Sequence, residues 1–220
     1  MGFISICGSN VLLSALSIAN LGLISSMVGF LHDQKDNVRS YQVNWPGGRI
    51  QLKVEPEHLW VDQGHTSNGV AGYGFLLGLF GLYVAWRQRK RQNHAPSKTL
   101  LALSILQFLA ILFTLSALIF VFAITYRTDN QQILRSIARS DTAYPADKWT
   151  PETWFKAVLD LPLASQQQRD NISSKVTNMV AWRWMLVPIF VADVVAFGVS
   201  VVEVLRQRKG MDRLEFVMEK

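Results

Sequence analysis

Four long apolar runs divide this chain, with two polar loops and one short basic segment between them. The runs cover residues 3–32, 68–86, 99–126 and 179–205. About 20 apolar residues cross a bilayer as an α-helix, and a chain in lipid must satisfy its backbone hydrogen bonds internally. We therefore predict an all-α membrane protein, a single domain in which four transmembrane helices form a bundle, rather than a soluble helical bundle.

The distribution of basic residues predicts the orientation of the four spans. The inner loop 87–98 and the tail 206–220 are rich in Lys and Arg, whereas the loops 33–67 and 127–178 carry both signs in similar numbers. The positive-inside rule then places both termini and the short loop in the cytoplasm, with the two long loops extracellular or lumenal. The net charge of +6 follows from this bias, so we expect no nucleic acid partner. The same basic cluster suits anionic lipid head groups; its members are Arg87, Arg89, Lys90 and Arg91.

The first apolar run has a second interpretation as a signal peptide. Ser17-Ile18-Ala19 offers small residues of the kind found at cleavage sites. However, no basic residue precedes the run, and the apolar stretch continues to Leu31. A signal peptide has a basic start and a shorter apolar core, so we expect residues 3–32 to be a retained span.

The first long loop has the pattern of a β-hairpin. Apolar residues alternate with polar ones on both sides of Pro46-Gly47-Gly48-Arg49. A two-residue turn at Gly47-Gly48 would pair Trp45 with Ile50 and place all the alternating apolar side chains on one face; these are Tyr41, Val43, Trp45, Ile50, Leu52 and Val54. We expect that face to cover the second long loop.

The second long loop has the pattern of short helices. Asp129 or Asn130 could cap a helix that runs to about Arg139. Thr150-Pro151-Glu152 combines a capping side chain, a proline at the first helical position and an acid near the positive end of the helix dipole. We predict a helix from this point to about residue 160, so that the two loops form a small cap. Neither loop contains cysteine, so packing rather than a disulfide must hold them together.

Two residues are candidates for covalent modification. Asn171-Ile172-Ser173 is a glycosylation sequon on the predicted outer side. Cys7, the only cysteine of the chain, lies at the predicted cytoplasmic end of the first span. There it is either a palmitoylation site or a small apolar filler. His58 and His65 have no spacing typical of a metal site, and we predict neither a metal nor another cofactor.

Small residues form a seam on each of the first two spans. In the first span they recur every seven residues, with two more at the complementary positions, and in the second span they are four residues apart. Such residues let two helix backbones approach closely in a membrane. The seams predict either packing within the bundle or docking of a second membrane protein; their residues are Gly8, Ala15, Ala19, Gly22, Ser26 and Gly29, then Gly74 and Gly78.

Few polar side chains interrupt the spans, and Asp193 is the only acid near a predicted midplane. Intramembrane acids are costly and often functional, so Asp193 could carry a proton, bind a cation or pair with a partner. The alternative is a protonated or hydrogen-bonded Asp193 that faces Asn20 or Gln107. Acid–base catalysis needs several convergent titratable groups, and Asp193 stands alone, so we do not expect an enzyme.

The layout of four spans with a β-rich first loop and a helical second loop resembles the tetraspan class. It is most similar to the claudin-like group, which includes the fungal PalI and eisosome-type tetraspans. Trp45 and His58-Leu59-Trp60 match the tryptophans of the claudin first-loop motif, whereas the two claudin cysteines are missing and His58 replaces a glycine. The tetraspanin Cys-Cys-Gly signature is also missing. The resemblance implies a non-enzymatic scaffold or accessory subunit.

These observations together predict a tetraspan scaffold or accessory subunit of the plasma membrane or a connected endomembrane. We expect it to contact the lipid bilayer and to bind either another integral membrane protein or a second copy of itself. The contacts would use the small-residue seams of the spans and the outer-loop tryptophans Trp45, Trp60 and Trp154. The alternative is a small channel or carrier that uses Asp193.

Overall fold

The structure is a computed structural model that describes residues 2–89 and 97–218, with side chains described up to residue 210. Within these residues the chain is mostly helical, and its elements are α1 (Gly2–Asp33), β1 (Ser40–Trp45), β2 (Gly48–Lys53), α2 (Asp62–Arg89), α3 (Lys98–Thr128), α4 (Pro151–Leu159) and α5 (Gln166–Met218). The helices α1, α2, α3 and α5 are each long and apolar enough to cross a membrane. They fit a tetraspan layout and indicate a multi-pass membrane protein.

The four long helices extend beyond the apolar runs that predicted them. The second helix begins at Asp62, six residues before its run, and α5 begins at Gln166 and continues to Met218. Residues 165–178 are polar but tolerated in a helix, so they can extend the fourth span outward. Hydropathy marks the part of a helix suited to hydrocarbon, whereas helix-tolerant polar residues continue the same helix past that boundary.

The described chain divides into two compact units. Unit one comprises Met1–Leu21, Asn68–Leu118 and Met185–Lys220, and unit two comprises Gly22–Ser67 and Ile119–Trp184. Unit one thus contains segments of all four long helices. Unit two contains further segments of these helices together with the hairpin and α4.

The predicted β-hairpin is present, but its turn lies one residue earlier than we predicted. Strand β1 pairs antiparallel with β2 in a register that joins Tyr41 to Leu52 and Val43 to Ile50, so Pro46 and Gly47 form the turn. Gly47 has a φ of +90°, as a type II turn requires after a proline whose ring fixes φ near −65°. We predicted a turn at Gly47-Gly48 because we neglected this preference of Pro46. The shift changes each pairing by two residues and therefore leaves the same side chains on one face.

The two long loops pack against each other within unit two, as we expected from the absence of cysteine. The backbone N–H of Asn44 donates to the carbonyl of Pro162 at 2.9 Å, and isolated bridges join Val43 to Leu163 and Leu59 to Trp149. The centre is a group of buried rings in which Trp149 and Trp154 meet edge to face at 5.2 Å between centroids. Aromatic burial of this kind is a large stabilising contribution.

One of the two helices predicted in the second long loop is present. Helix α4 begins at Pro151, and the Thr150 hydroxyl accepts a hydrogen bond from the backbone N–H of Thr153. The other helix, over 129–139, was a wrong prediction, since this segment consists of turns and irregular chain. Asn130 does not cap a new helix; it has a φ of +62°, which ends α3 because a left-handed residue cannot continue a right-handed helix.

A short π-helical turn, Gln34–Val38, follows α1 within unit two. The Tyr41 hydroxyl donates to Gln34 Oε1 at 2.6 Å and is buried. Burial, assisted by the nearby charge of Asp33, raises the pKa of Tyr41 above its usual value. The phenol therefore stays protonated and keeps donating to Gln34, which fixes β1 against the end of α1.

Candidate functional site

Gly74 and Gly78 of α2 lie against α1 within unit one. A Cβ on Gly74 would come within 2.5 Å of Ser17 Oγ, and one on Gly78 would come within 2.8 Å of the Asn10 carbonyl oxygen. The Ser14 hydroxyl donates across the same contact to the carbonyl of Phe75 at 3.2 Å. The seam of the second span therefore serves packing within the chain.

The small residues of α1 occupy a different setting. Gly8, Ala15 and Ala19 are exposed in unit one, and Gly22 and Gly29 are exposed in unit two. At the three glycines, an added Cβ would meet nothing within 4 Å beyond its own helix. The three glycines of this seam therefore have open space beyond their own helix, whereas the Ser26 hydroxyl accepts from Lys175 Nζ at 3.0 Å in unit two.

Polar side chains explain why the small residues of α1 face outward. The buried face of α1 in unit one carries Asn10, Ser14, Ser17 and Asn20 alongside apolar residues. In a spanning helix such groups turn toward other protein, because hydrocarbon offers them no hydrogen bonds. A helix that turns this face inward must present its glycine and alanine stripe outward.

Asp193 lies buried in unit one and takes a hydrogen bond from α3. The Thr114 hydroxyl donates to Asp193 Oδ2 at 2.7 Å, while Oδ1 has no partner within the described residues. The expected neighbours are engaged differently. Gln107 Nε2 donates to Asn10 Oδ1 at 3.2 Å, and the buried Asn20 amide has no partner among the described groups.

Asp193 is thus hydrogen-bonded, as one of the two alternatives expected, but its donor is Thr114 rather than Asn20 or Gln107, and the sequence analysis missed this partner. Thr114 is an uncharged residue in an apolar run, and threonine there also bonds readily to its own helix backbone. Nothing in the sequence distinguishes it from Ser104, which donates to the Leu100 carbonyl at 3.1 Å. Only the packing of α3 on α5 within unit one selects Thr114.

Replacing Thr114 by valine is expected to destabilise unit one by about 1 kcal/mol. The change keeps the side-chain shape but removes the Thr114 hydroxyl, which donates to Asp193 Oδ2. The measurement is the melting temperature in detergent, followed by the labelling of Cys7 with a thiol-reactive dye. Ser116→Ala is the control, because the exposed Ser116 hydroxyl donates to the carbonyl of Leu112 on its own helix. A Thr114→Val melting curve that matches the Ser116→Ala curve would contradict the prediction.

An ion pair in unit two holds α4 against α5, and the sequence analysis did not predict it. Arg183 Nε and Nη2 donate to the two carboxylate oxygens of Glu152, each at 2.9 Å. Lys156 Nζ lies 2.6 Å from Glu152 Oε1, and the Glu152 side chain is only 2% exposed. The Arg183 guanidinium also lies over the Phe122 ring, 5.1 Å from its centroid. The only sequence signals were an acid in the first turn of α4 and an arginine within an apolar run.

The three tryptophans assigned to outer-loop contacts lie in different environments of unit two. Trp154 is fully buried, and its Nε1 donates to the carbonyl of Val54 at 2.7 Å, so it joins the two long loops. Trp60 is partly exposed; its Nε1 donates to Asp62 Oδ2 at 2.8 Å, and Lys148 Nζ lies 5.6 Å from its ring centroid. Trp45 is also partly exposed. Trp45 and Trp60 therefore remain available at the surface, whereas Trp154 belongs to the core.

Of the residues that the structure describes, those predicted to contact lipid head groups or to be covalently modified lie at the ends and on the surfaces of the helices. Arg87 and Arg89 lie exposed in the last turn of α2, while Lys90 and Arg91 lie outside the described residues. Asn171 is exposed on α5, and Cys7 is partly exposed and free on α1. Among the described residues, no three His, Cys, Asp or Glu side chains are grouped so that they could hold a metal ion.

Comparisons with known proteins do not extend this description. No family model matches the chain. No curated protein and no solved structure matches it either. The features that bear on function are therefore the exposed face of α1, the packed glycines of α2 and the buried polar groups of unit one.

Proposed function

We propose that this protein is a non-enzymatic tetraspan scaffold or accessory subunit. It associates through α1 with another integral membrane protein or with a second copy of itself. The observation that supports this most is the contrast between the two seams. Gly74 and Gly78 of α2 pack on α1, whereas a Cβ added at Gly8, Gly22 or Gly29 of α1 would meet nothing within 4 Å among the described residues beyond its own helix.

The physical reason is that membrane helices associate through close backbone approach. Between helices in lipid there is little hydrophobic gain, so dispersion contacts and weak polar contacts across small residues provide the attraction. A seven-residue period keeps such a stripe in register with a partner helix in a left-handed pair. The outward face of α1 has both properties.

The proposed setting follows from charge and layout. Both termini and the basic segment 87–98 would be cytoplasmic by the positive-inside rule, and the two long loops would be extracellular or lumenal. The plasma membrane or a connected endomembrane is the proposed location. The tetraspan layout, with its hairpin in the first loop and α4 in the second, is compatible with a claudin-like scaffold, and Trp45 and Trp60 offer further contacts outside the bilayer.

The test is crosslinking in native membranes, followed by purification in mild detergent and identification of whatever co-purifies. Gly22→Leu should release the partner, because leucine would hold the two backbones apart. The fold should remain intact, since a Cβ at Gly22 meets nothing within 4 Å beyond its own helix. Val28→Leu is the matched control, because Val28 is an exposed residue of the same helix outside the small-residue stripe. Retention of the partner by Gly22→Leu, or a lone monomer in the unmodified protein, would contradict the proposal.

A small channel or carrier is the second candidate, and the burial of Asp193 favours it. Its Oδ1 is buried without a partner among the described residues, and intramembrane acids often mark ion or proton pathways. Asp193→Asn separates the two candidates, because the amide can still accept from Thr114 but cannot exchange a proton. A carrier would lose flux in liposomes, whereas a scaffold would keep its partner unchanged.

A further inference from the structure

Unit two contains an open cavity of about 580 Å³ whose lining is strongly charged. Its size lies within the range of small-molecule sites, about 300–1,000 Å³. The charged lining comes from the π-helical turn after α1, the end of β2 with the chain that follows it, and the second long loop; it consists of Lys35, Arg39, Lys53, Glu55 and Asp141. The buried Val54 and Pro56 supply an apolar part of the wall.

The cations of this cavity are only partly neutralised by its acids. Lys35 Nζ lies 3.5 Å from Glu55 Oε2, and the lysine is 65% exposed, so this pair is weak. Arg39 uses its Nε to donate to the Asp36 carbonyl at 3.2 Å, which leaves the other guanidinium N–H groups for a ligand. Lys53 makes no ion pair with any described residue. Three cations and two carboxylates give the cavity a positive excess.

Two cavity residues hold unfavourable backbone conformations. Arg39 has φ 63° and ψ −39°, and Asp141 has a φ of 60°, where residues with a Cβ are sparse. The Arg39 conformation is fixed by its N–H to the Gln34 carbonyl at 2.8 Å and by its carbonyl, which accepts from Val54 N–H at 3.2 Å. Such conformations and π-helical turns concentrate at ligand sites. A residue with a Cβ adopts a positive φ at a higher cost than glycine does, so an arginine here places a guanidinium at the cavity against the backbone preference.

We propose that this cavity binds a phosphorylated polyol. The Arg39 guanidinium and the Lys53 and Lys35 ammonium groups bind the phosphate, because guanidinium and ammonium donors form strong charge-assisted hydrogen bonds to phosphate oxygens. The carboxylates of Asp141 and Glu55 accept hydrogen bonds from the ligand hydroxyls. A bare anion would leave the Asp141 carboxylate without a partner, and a neutral polyol would leave Arg39 and Lys53 without an anionic partner, whereas Lys35 and Glu55 already face each other.

The phosphorylated polyol could be a free molecule or the head group of a lipid, and both present the same chemistry. The first measurement is titration of the full chain, in phosphatidylcholine nanodiscs, with glycerol 3-phosphate. Lys53→Gln is expected to weaken binding about tenfold or more, as loss of a charge-assisted hydrogen bond does. Arg49→Gln is the control, because Arg49 is an exposed cation of β2 that does not line the cavity. Equal affinities for the two variants would overturn the proposal.

Arg39→Gly separates ligand binding from folding. Glycine tolerates a positive φ at a lower cost than arginine, so the variant should melt at the same temperature as the unmodified protein or higher while it loses affinity for glycerol 3-phosphate. A variant that melts normally and binds normally would show that the guanidinium has no part in a site.

A competition experiment shows whether the natural ligand is a lipid head group or a soluble molecule. Nanodiscs that contain phosphatidylglycerol or phosphatidylinositol should displace glycerol 3-phosphate if the natural ligand is a lipid head group, and should leave its affinity unchanged if the ligand is soluble. Either result supports the site. The proposal would be overturned if glycerol 3-phosphate, phosphatidylglycerol and phosphatidylinositol all failed to bind. It would also be overturned if inorganic phosphate bound with an affinity that neither Lys53→Gln nor Arg39→Gly changed.

Discussion

Replacing Arg183 by methionine is expected to lower the free energy of unfolding of unit two by about 3 kcal/mol. The substitution leaves the Glu152 carboxylate buried, with only Lys156 to balance its charge, and the lysine is 39% exposed. It also removes the cation–π contacts of Arg183 with Phe122 and Trp184. Without Arg183, the desolvation of the buried Glu152 carboxylate is no longer offset. Removing the arginine therefore destabilises unit two by more than the intact ion pair stabilises it.

Tryptophan fluorescence is the appropriate measurement for this prediction. Of the seven tryptophans, all but Trp86 lie in unit two, so the emission reports chiefly on the unfolding of that unit. A loss of about 3 kcal/mol should lower its melting temperature by about 10 °C for a unit of this size. The shift should be visible in detergent without any knowledge of the partner or function.

Two variants control the interpretation of this experiment. Lys156→Met removes the exposed partner of the same carboxylate and should cost less than about 1 kcal/mol. The double variant Glu152→Gln with Arg183→Met removes both charges and should recover much of the stability lost in Arg183→Met alone, as coupled residues do in a double-mutant cycle. If Arg183→Met costs no more than Lys156→Met, the ion pair does not hold α4 in place.

The four long helices could be predicted from sequence because hydrocarbon selects for long apolar runs. Hydropathy alone could not place their ends, because the helices continue through polar segments such as Gln166–Ser174, which carry no hydropathy signal. The turn at Pro46-Gly47 could have been predicted from the sequence, since proline is preferred at the second position of a type II turn and glycine at the third. We chose the neighbouring dipeptide because Gly47-Gly48 also matches a hairpin turn.

Side-chain partnerships were beyond the sequence because they depend on how the helices pack. Thr114 and Asp193 are 79 positions apart, and Glu152 and Arg183 are 31 apart. The seven-residue repeat of small residues on α1 could be recognised in the sequence. However, such a repeat is equally compatible with packing inside the bundle and with docking of a partner helix outside it. The polar side chains Asn10 and Asn20 decide between them, since the face that carries them is the buried one.

Replacing Gly78 by alanine is expected to separate α1 from α2 in unit one and to destabilise it by about 1–3 kcal/mol. The added Cβ would lie 2.8 Å from the Asn10 carbonyl oxygen and 3.0 Å from the Ser14 backbone nitrogen. These are backbone atoms, so rotation of a flexible side chain cannot relieve the contact. Helix α1 itself would have to move, and the hydrogen bond from Ser14 to the Phe75 carbonyl would weaken with it.

Gly72→Ala is the matched control because it makes the same chemical change on the same helix, where an added Cβ meets nothing within 4 Å. Alanine favours a helix by up to about 1 kcal/mol over glycine, so Gly72→Ala should be neutral or stabilising, and the two variants should differ by about 2–4 kcal/mol. The reporter is Cys7, the only thiol of the chain; it lies on α1, and its labelling should accelerate as α1 leaves α2. Equal labelling curves would mean that α1 accommodates the added methyl group of Gly78→Ala without loss of stability. Gly78 would then not be needed for the packing of α2 on α1, and the difference between the two seams would no longer support α1 as the docking face.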